Sequence, residues 1–500
     1  MTTTSESDQV LQRRANLEEL RRLGVAPYPN RFDRQASIEE ILREHGGKSA
    51  EELEPARITT RTAGRILAIR AFGKANFLVL TDGKARIQVY IREDSLSPRE
   101  FQIYKLLDLG DWIGVEGRLF RTKTREFTIW ASQIEFLAKC LLPLPEKWHG
   151  LQDVETRFRQ RYLDLIVNPD IRRVFEIRTR VESTIRGFLT ARGFLEVETP
   201  TMQSIPGGAL ARPFVTHHNA LDIPLYMRVA PELYLKRLTV GGIERVFEVA
   251  RNFRNEGMSV HHNPEFTMLE FYWAYADYND MMSLTEELLV EVARQAIGTD
   301  DFRFGDHTIS LKAPFRRLDL REAARAAAVG RLGADVRAAD LRSRDAAAAL
   351  ASRLGVEVAP AMGAGAITLA LFEQLCEEEL IQPTFVYDFP TEVSPLSKQK
   401  PDDPETVERF ELYAAGMEIA NAFSELNDPA EQRRRFEEQT KARAAGDQEA
   451  HALDEDYVRA LEYGMPPAAG NGIGIDRLVM LLTNSHSIRD VILFPLMRPK

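Results

Sequence analysis

Apolar residues first recur at helical spacing: Leu17, Leu20 and Leu23 step by three, and Gly24 with Pro27 ends the run. Ser37 followed by Glu40 is a capping-box pattern that opens a second short helix, closed by Gly46 and Gly47. From residue 57 to residue 140 the period changes to two. Alternating runs at 66–69, 77–80, 87–91, 112–115 and 127–131 predict five strands, with Asp82-Gly83 as a hairpin signal between the second and third. The stretch 97–107 is less strand-like and separates the third run from the fourth.

Three strands, a helix and two strands is the element order of a five-stranded OB-fold β-barrel, an architecture that binds oligonucleotides. Residues 1–56 then form a helical extension, and 141–150, with Pro143 and Pro145, read as a linker. Beyond it, Ile171, Val174, Ile177, Val181, Ile185 and Phe188 step by three or four, predicting an amphipathic helix that ends near Gly193. Strand-like runs follow at 194–197, 246–249, 266–272, 409–413 and 417–423. The Ala/Arg-rich stretch from 321 predicts a helical insertion reaching to about 380. The expected class is α+β, multidomain.

Five hundred residues, 44% hydrophobic and 28% charged, exclude a disordered or collagen-like chain. No apolar run approaches the roughly 18–20 residues that span a bilayer. The polar start MTTTSESDQV lacks a secretory pattern, and two distant cysteines, Cys140 and Cys376, make neither a disulfide framework nor a Cys zinc site. A cytoplasmic location is expected. The net charge of −10 hides an asymmetry: residues 57–140 hold fifteen basic and nine acidic side chains, whereas 151–500 are strongly acidic. A basic module on an acidic body suits either a polyanion-binding domain or a merely solvated surface.

The chain has no G-x-x-x-x-G-K-[ST] loop, no H-E-x-x-H and no complete dinucleotide-binding glycine loop. Phosphate chemistry here must rest on side chains. Strand alternation puts Arg254 and Glu256 on one face; after the loop carrying His261-His262-Asn263, it puts Phe266, Met268, Glu270 and Tyr272 on one face. Such a pair of strands suits a ligand that is both anionic and cationic, or a surface hairpin with cross-strand ion pairs. Near the end, 470–477 is a run of small residues finishing in Arg477 and opening a helical pattern.

These motifs resemble the class II aminoacyl-tRNA synthetases, specifically the bacterial lysine-specific group. The segment 193–200 resembles class motif 1, residues 253–270 motif 2 and residues 472–477 motif 3; the lysine subgroup shows in 205–209, 230–237, 262–266 and 421–428. The resemblance implies a catalytic domain over 151–500, built on an antiparallel sheet flanked by helices, and a homodimer joined through motif 1. It implies activation of L-lysine by ATP, then transfer to the 3′ end of tRNA(Lys). Arg254 and Arg477 would be catalytic. ATP would meet Arg254, Glu256, His262, Asn263, Phe266, Glu411 and Arg477, with Phe266 and Arg477 sandwiching adenine. Lysine would meet Gly208, Glu232, Arg254, Glu270, Tyr272, Asn421, Phe423 and Glu425. Glu411 and Glu418 would hold Mg2+, and Phe77, Gln88 and Glu126 would read the anticodon.

Alternation sets Glu418 opposite Asn421, Phe423 and Glu425, so one site needs a bulge near Ala420 or a shared edge. Three rivals remain: an aspartate- or asparagine-activating relative, which would need a cationic pocket; a lysyl-transferring paralogue that modifies a protein; and an RNA-binding protein with a decayed synthetase domain.

Overall fold

The computed structural model describes residues 7–73, 75–145, 151–333, 335–444 and 452–499. They fall into two compact units, Met1–Arg172 and Arg173–Lys500.

In the first unit, five strands close into a barrel of order β1-β2-β3-β5-β4: β1 Thr59–Phe72, β2 Ala75–Thr81, β3 Arg86–Arg92, β4 Trp112–Arg121 and β5 Phe127–Ala138. This is the OB barrel expected from the element order. Alternation sends Leu78, Leu80, Ile87, Val89 and Ile129 into the core and leaves Phe77, Gln88 and Tyr90 half-buried on the other face. The Asp82-Gly83 turn is present, with Gly83 at φ 92°. It is a four-residue loop between the paired Thr81 and Arg86, drawn tight by Asp82 Oδ1 accepting from the Lys84 and Ala85 amides. The helix between strands three and four is Pro98–Lys105, capped by Ser97 and Glu100.

Helices Asp8–Arg22 and Ile38–His45 match the two predicted, the latter with the Ser37/Glu40 box formed. A third helix, Ala50–Ala56, was not predicted, although Ser49 and Glu52 spell a second capping box. The part of the linker at 146–150 lies outside the described residues.

The second unit is built on an eight-stranded sheet of order β9-β10-β11-β12-β13-β8-β7-β6. Its strands are β6 Leu195–Glu196, β7 Arg245–Phe253, β8 Glu265–Ala274, β9 Arg316–Asp319, β10 Thr384–Tyr387, β11 Arg409–Ala414, β12 Met417–Ser424 and β13 Ala468–Gly474. The six central strands, β10 to β7, are antiparallel; the edge strands β6 and β9 pair parallel to their neighbours. The Pro169–Ala191 and Tyr278–Ile297 helices pack Ile177, Val181, Ile185, Met281, Leu288 and Val292 into the core beneath the sheet. From residue 320 the chain forms the helices Leu320–Leu332, Arg344–Leu354 and Ala364–Cys376, which share a core of their own. Sequence patterning missed the short strands β9 and β10 and a small sheet of Met202–Gln203, Val215–His218 and Ile223–Met227, whose exposed residues lack alternation.

Candidate active site

Strands β8, β11, β12 and β13, with the segment that follows β7, border a cleft of about 300 Å³. Its lining includes Gly208, Glu232, Arg254, Glu256, His262, Asn263, Phe266, Glu270, Tyr272, Glu418, Asn421, Phe423 and Arg477. Of the residues expected in the catalytic site, only Glu411 and Glu425 do not line it; both are buried directly behind the lining.

The β8 face is as alternation predicts: Phe266, Met268, Glu270 and Tyr272 all reach the cleft. Arg254 and Glu256 reach it differently. They do not share a strand face, because β7 ends at Phe253, paired with Glu265, and Pro264 has no N–H to extend the ladder. Instead the Arg254 amide donates to the Pro264 carbonyl at 2.9 Å, and the guanidinium turns over the Phe266 ring at 5.0 Å from its centroid. The cation on Phe266 is therefore Arg254. Arg477 lies elsewhere, donating to the Glu418 carboxylate at 3.1 Å and contacting His262 Nε2 at 3.2 Å. Ser259 fixes the histidine loop by accepting from the amides of His261 and His262 and meeting His262 Nδ1 at 2.9 Å. Burial and the nearby Arg477 lower the pKa of both histidines, favouring neutral rings.

The carboxylate geometry turns on one irregularity. Leu412 pairs with Ala420 but Tyr413 pairs with Glu418, so Ile419 is an extra residue in β12. This bulge, one residue before the expected position, returns Glu418 to the face of Asn421 and Phe423. On the neighbouring strand Arg409 donates to Asn421 Oδ1 at 3.0 Å and to Glu411 Oε1 at 2.6 Å, while the Tyr413 hydroxyl donates to Glu411 Oε2 at 2.6 Å. Burial pushes Glu411 up to about 7 against the pull of Arg409.

Glu270 is buried in the cleft, and among the described residues its one side-chain hydrogen-bond partner is the Tyr272 hydroxyl, at 3.4 Å. Among the described residues it has no ion-pair partner, and burial together with Glu232 raises its pKa well above the usual range. Gly470 makes this space: a Cβ there would overlap Glu425 Oε1 and the Tyr272 ring. Gly208 sits at φ +93°, where a side chain would also press on Glu232 Cβ. Sequence reading missed Lys236, which is fully buried and ion-paired to Glu232 at 2.5 Å and to Glu425. It also missed Arg409 and Asp476, whose carboxylate accepts the Thr267 amide at 2.7 Å and pairs with Arg178 at 2.5 Å. The spacing of Glu232 and Lys236, i and i+4, was the available signal for the first.

On the barrel, Phe77 packs in a ribbon with Phe72 (6.4 Å between centroids) and Tyr90 (5.0 Å), which continues through Phe120 and Trp130. Gln88 donates to Thr128 Oγ1 at 3.0 Å, and Glu126 is exposed. The ribbon beyond Phe77 was readable as outward positions of the alternating strands.

The family model for class II tRNA synthetases (D, K and N) matches residues 153–498. The chain belongs to that family. A second model, the OB-fold nucleic acid binding domain, matches residues 60–137 of this synthetase. Among curated relatives, a lysine--tRNA ligase of Carboxydothermus hydrogenoformans is 54% identical over 99% of both chains. The heat-inducible lysine--tRNA ligase of Escherichia coli K12 is 52% identical over 99% of this chain and 97% of its own. A lysine--tRNA ligase of Bacillus subtilis is 51% identical over 99% and 98%.

Proposed function

We infer that this synthetase is an ATP-dependent lysine--tRNA ligase, which activates L-lysine as its adenylate and transfers it to tRNA. The observation that carries the reading is the composition of the cleft: the Arg254 guanidinium and the buried carboxylate of Glu270, which has no ion-pair partner among the described residues, line one cleft in a chain about half identical to full-length lysine--tRNA ligases.

Catalysis is positioning with charge stabilisation. Arg254 receives the amino acid's carboxylate and the α-phosphate, since a guanidinium matches both oxygen forks. Glu232 and Gly208 meet the α-amino group, Asn421 the carboxylate, and Glu270 with Tyr272 the ε-ammonium, beside Phe423 and Glu425. Phe266 and Arg477 hold the adenine between ring and guanidinium, with Glu256 accepting from its amino group. Asn263 and neutral His262 approach the phosphates.

Glu411 and Glu418, hard oxygen donors brought to one face by the Ile419 bulge, fit Mg2+, which takes one or two carboxylates and completes its shell with water and phosphate oxygens. When bound, such an ion offsets charge on the leaving pyrophosphate. On the barrel, Phe77 stacks on an anticodon base, and Gln88 and Glu126 read base edges. Homodimerisation through motif 1 and a cytoplasmic location complete the proposal; among the described residues no helix is long and apolar enough to cross a membrane.

An aspartate-activating alternative needs a free cation for the side chain, and an asparagine-activating one would leave the buried Glu270 carboxyl without a countercharge. The cations nearby, Lys236 and Arg409, are already engaged by Glu232, Glu425, Glu411 and Asn421. Amino-acid-dependent exchange of pyrophosphate into ATP tests activation, and charging of tRNA separates this reading from a protein-modifying paralogue.

A further inference from the structure

Lys236 is a fully buried ammonium within the proposed amino-acid pocket, on the Glu232–Val240 helix. Its Nζ reaches Glu232 one turn back at 2.5 Å and Glu425 at the end of β12, and lies 5.2 Å from the centre of the Phe423 ring. Three of the residues assigned to lysine recognition thus touch one internal lysine. Glu425 uses Oε2 for Lys236, leaving a buried Oε1 that has no hydrogen-bond partner among the described residues, beside Tyr272 and Gly470. Among the described residues, the polar groups facing this cluster include Glu270 and Tyr272 from β8, Arg409 from β11, and Tyr457, whose buried hydroxyl has no hydrogen-bond partner there.

The pairing gives the arrangement a purpose. Of the three buried carboxylates Glu232, Glu270 and Glu425, Lys236 holds two, Glu232 and Glu425, and among the described residues Glu270 has no ion-pair partner. Lysine brings a side-chain ammonium to match it. We propose that Lys236 is a resident counter-ion of the amino-acid pocket: a positioning residue that fixes the Glu232 and Glu425 carboxylates and leaves Glu270 to receive the substrate ammonium. The proposal rests on the lysine-activating reading above. Without Lys236, two further buried carboxylates would face each other unpaired, a costly state relieved by taking up protons or by collapse of the pocket.

The test uses the full-length chain in lysine-dependent pyrophosphate exchange. Lys236→Gln preserves most of the volume without the charge; Lys236→Ala opens a space that n-propylammonium fills. Folding of each is checked by its thermal midpoint. The expected result for Lys236→Gln is a KM for lysine raised about 30-fold or more, the range for truncating one member of a buried charge pair, with the KM for ATP within about threefold of the parent. For Lys236→Ala, n-propylammonium lowers the KM for lysine and 1-propanol does not. If the parent itself shows no lysine-dependent exchange, the functional reading falls and takes this proposal with it. If the parent exchanges but Lys236→Gln keeps its KM for lysine, the proposal alone is overturned. It is equally overturned if both variants lose kcat and both KM values together with no response to the amine, the signature of a merely structural lysine.

Discussion

Tyr413 stands opposite Glu418, although Leu412 stands opposite Ala420, and the unmatched Ile419 between them decides which carboxylates share the cleft. Without that extra residue Glu418 would point away from Asn421 and Arg477. Glu418→Gln is therefore expected to lower pyrophosphate exchange by about a hundredfold, on the scale of removing one charge-stabilising group, and to raise the Mg2+ concentration needed for half-maximal rate. Titration of Mg2+ for both proteins checks this; unchanged Mg2+ demand would show that Glu418 serves only Arg477.

Gly470 tests the shape of the amino-acid pocket. A methyl group there would overlap Glu425 Oε1 and Tyr272, both buried and neither free to retreat. Gly470→Ala should destabilise the fold by about 1–3 kcal/mol, as overpacking usually does. It should also raise the KM for lysine far more than that for ATP. Thermal melts and exchange kinetics on the same preparation read both effects.

The carboxyls near the proposed ammonium site set a pH dependence. Burial pushes Glu425 up to about 8, with Lys236 opposing it, and raises Glu270 well above its ordinary value. A carboxyl protonated in the free pocket must release its proton to receive an ammonium. Lysine affinity should therefore rise with pH through about 8 and fall below it. Calorimetric titration of lysine near pH 7 in buffers of different ionisation enthalpy should show proton release. Equal heats in all buffers would mean the carboxyls are already ionised.

How much of this was legible in the sequence depended on period and on reach. The barrel followed from runs of period two, and Glu270 with Tyr272 from strict alternation along β8. Alternation failed at Arg254 and Glu256, where Pro264 ends the ladder, and at Glu418, where a bulge resets it. Glu425 and Lys236 meet across 189 residues of chain, a pairing that no local pattern encodes. The strands Arg316–Asp319 and Thr384–Tyr387, four residues each, are too short for a period to register.

The barrel gives a prediction separable from the chemistry. Phe77 lies half-buried on the outer aromatic ribbon rather than in the core, so its removal should spare the fold. Phe77→Ala should weaken tRNA binding by about 1–3 kcal/mol, the value of one base–aromatic stack, and leave pyrophosphate exchange unchanged. Filter binding at fixed salt, beside the exchange assay, reads the two activities independently.

The central claim is that this cleft selects lysine by a buried carboxylate, and Glu270→Gln probes it with charge removed and shape kept. Lysine-dependent pyrophosphate exchange should be measured for parent and variant at sub-saturating lysine and saturating ATP. The parent is expected to show lysine-dependent exchange and the variant to lose about 2–5 kcal/mol in kcat/KM for lysine, with ATP binding unchanged. Near-parental activity of Glu270→Gln at sub-saturating lysine would contradict selection by that carboxylate.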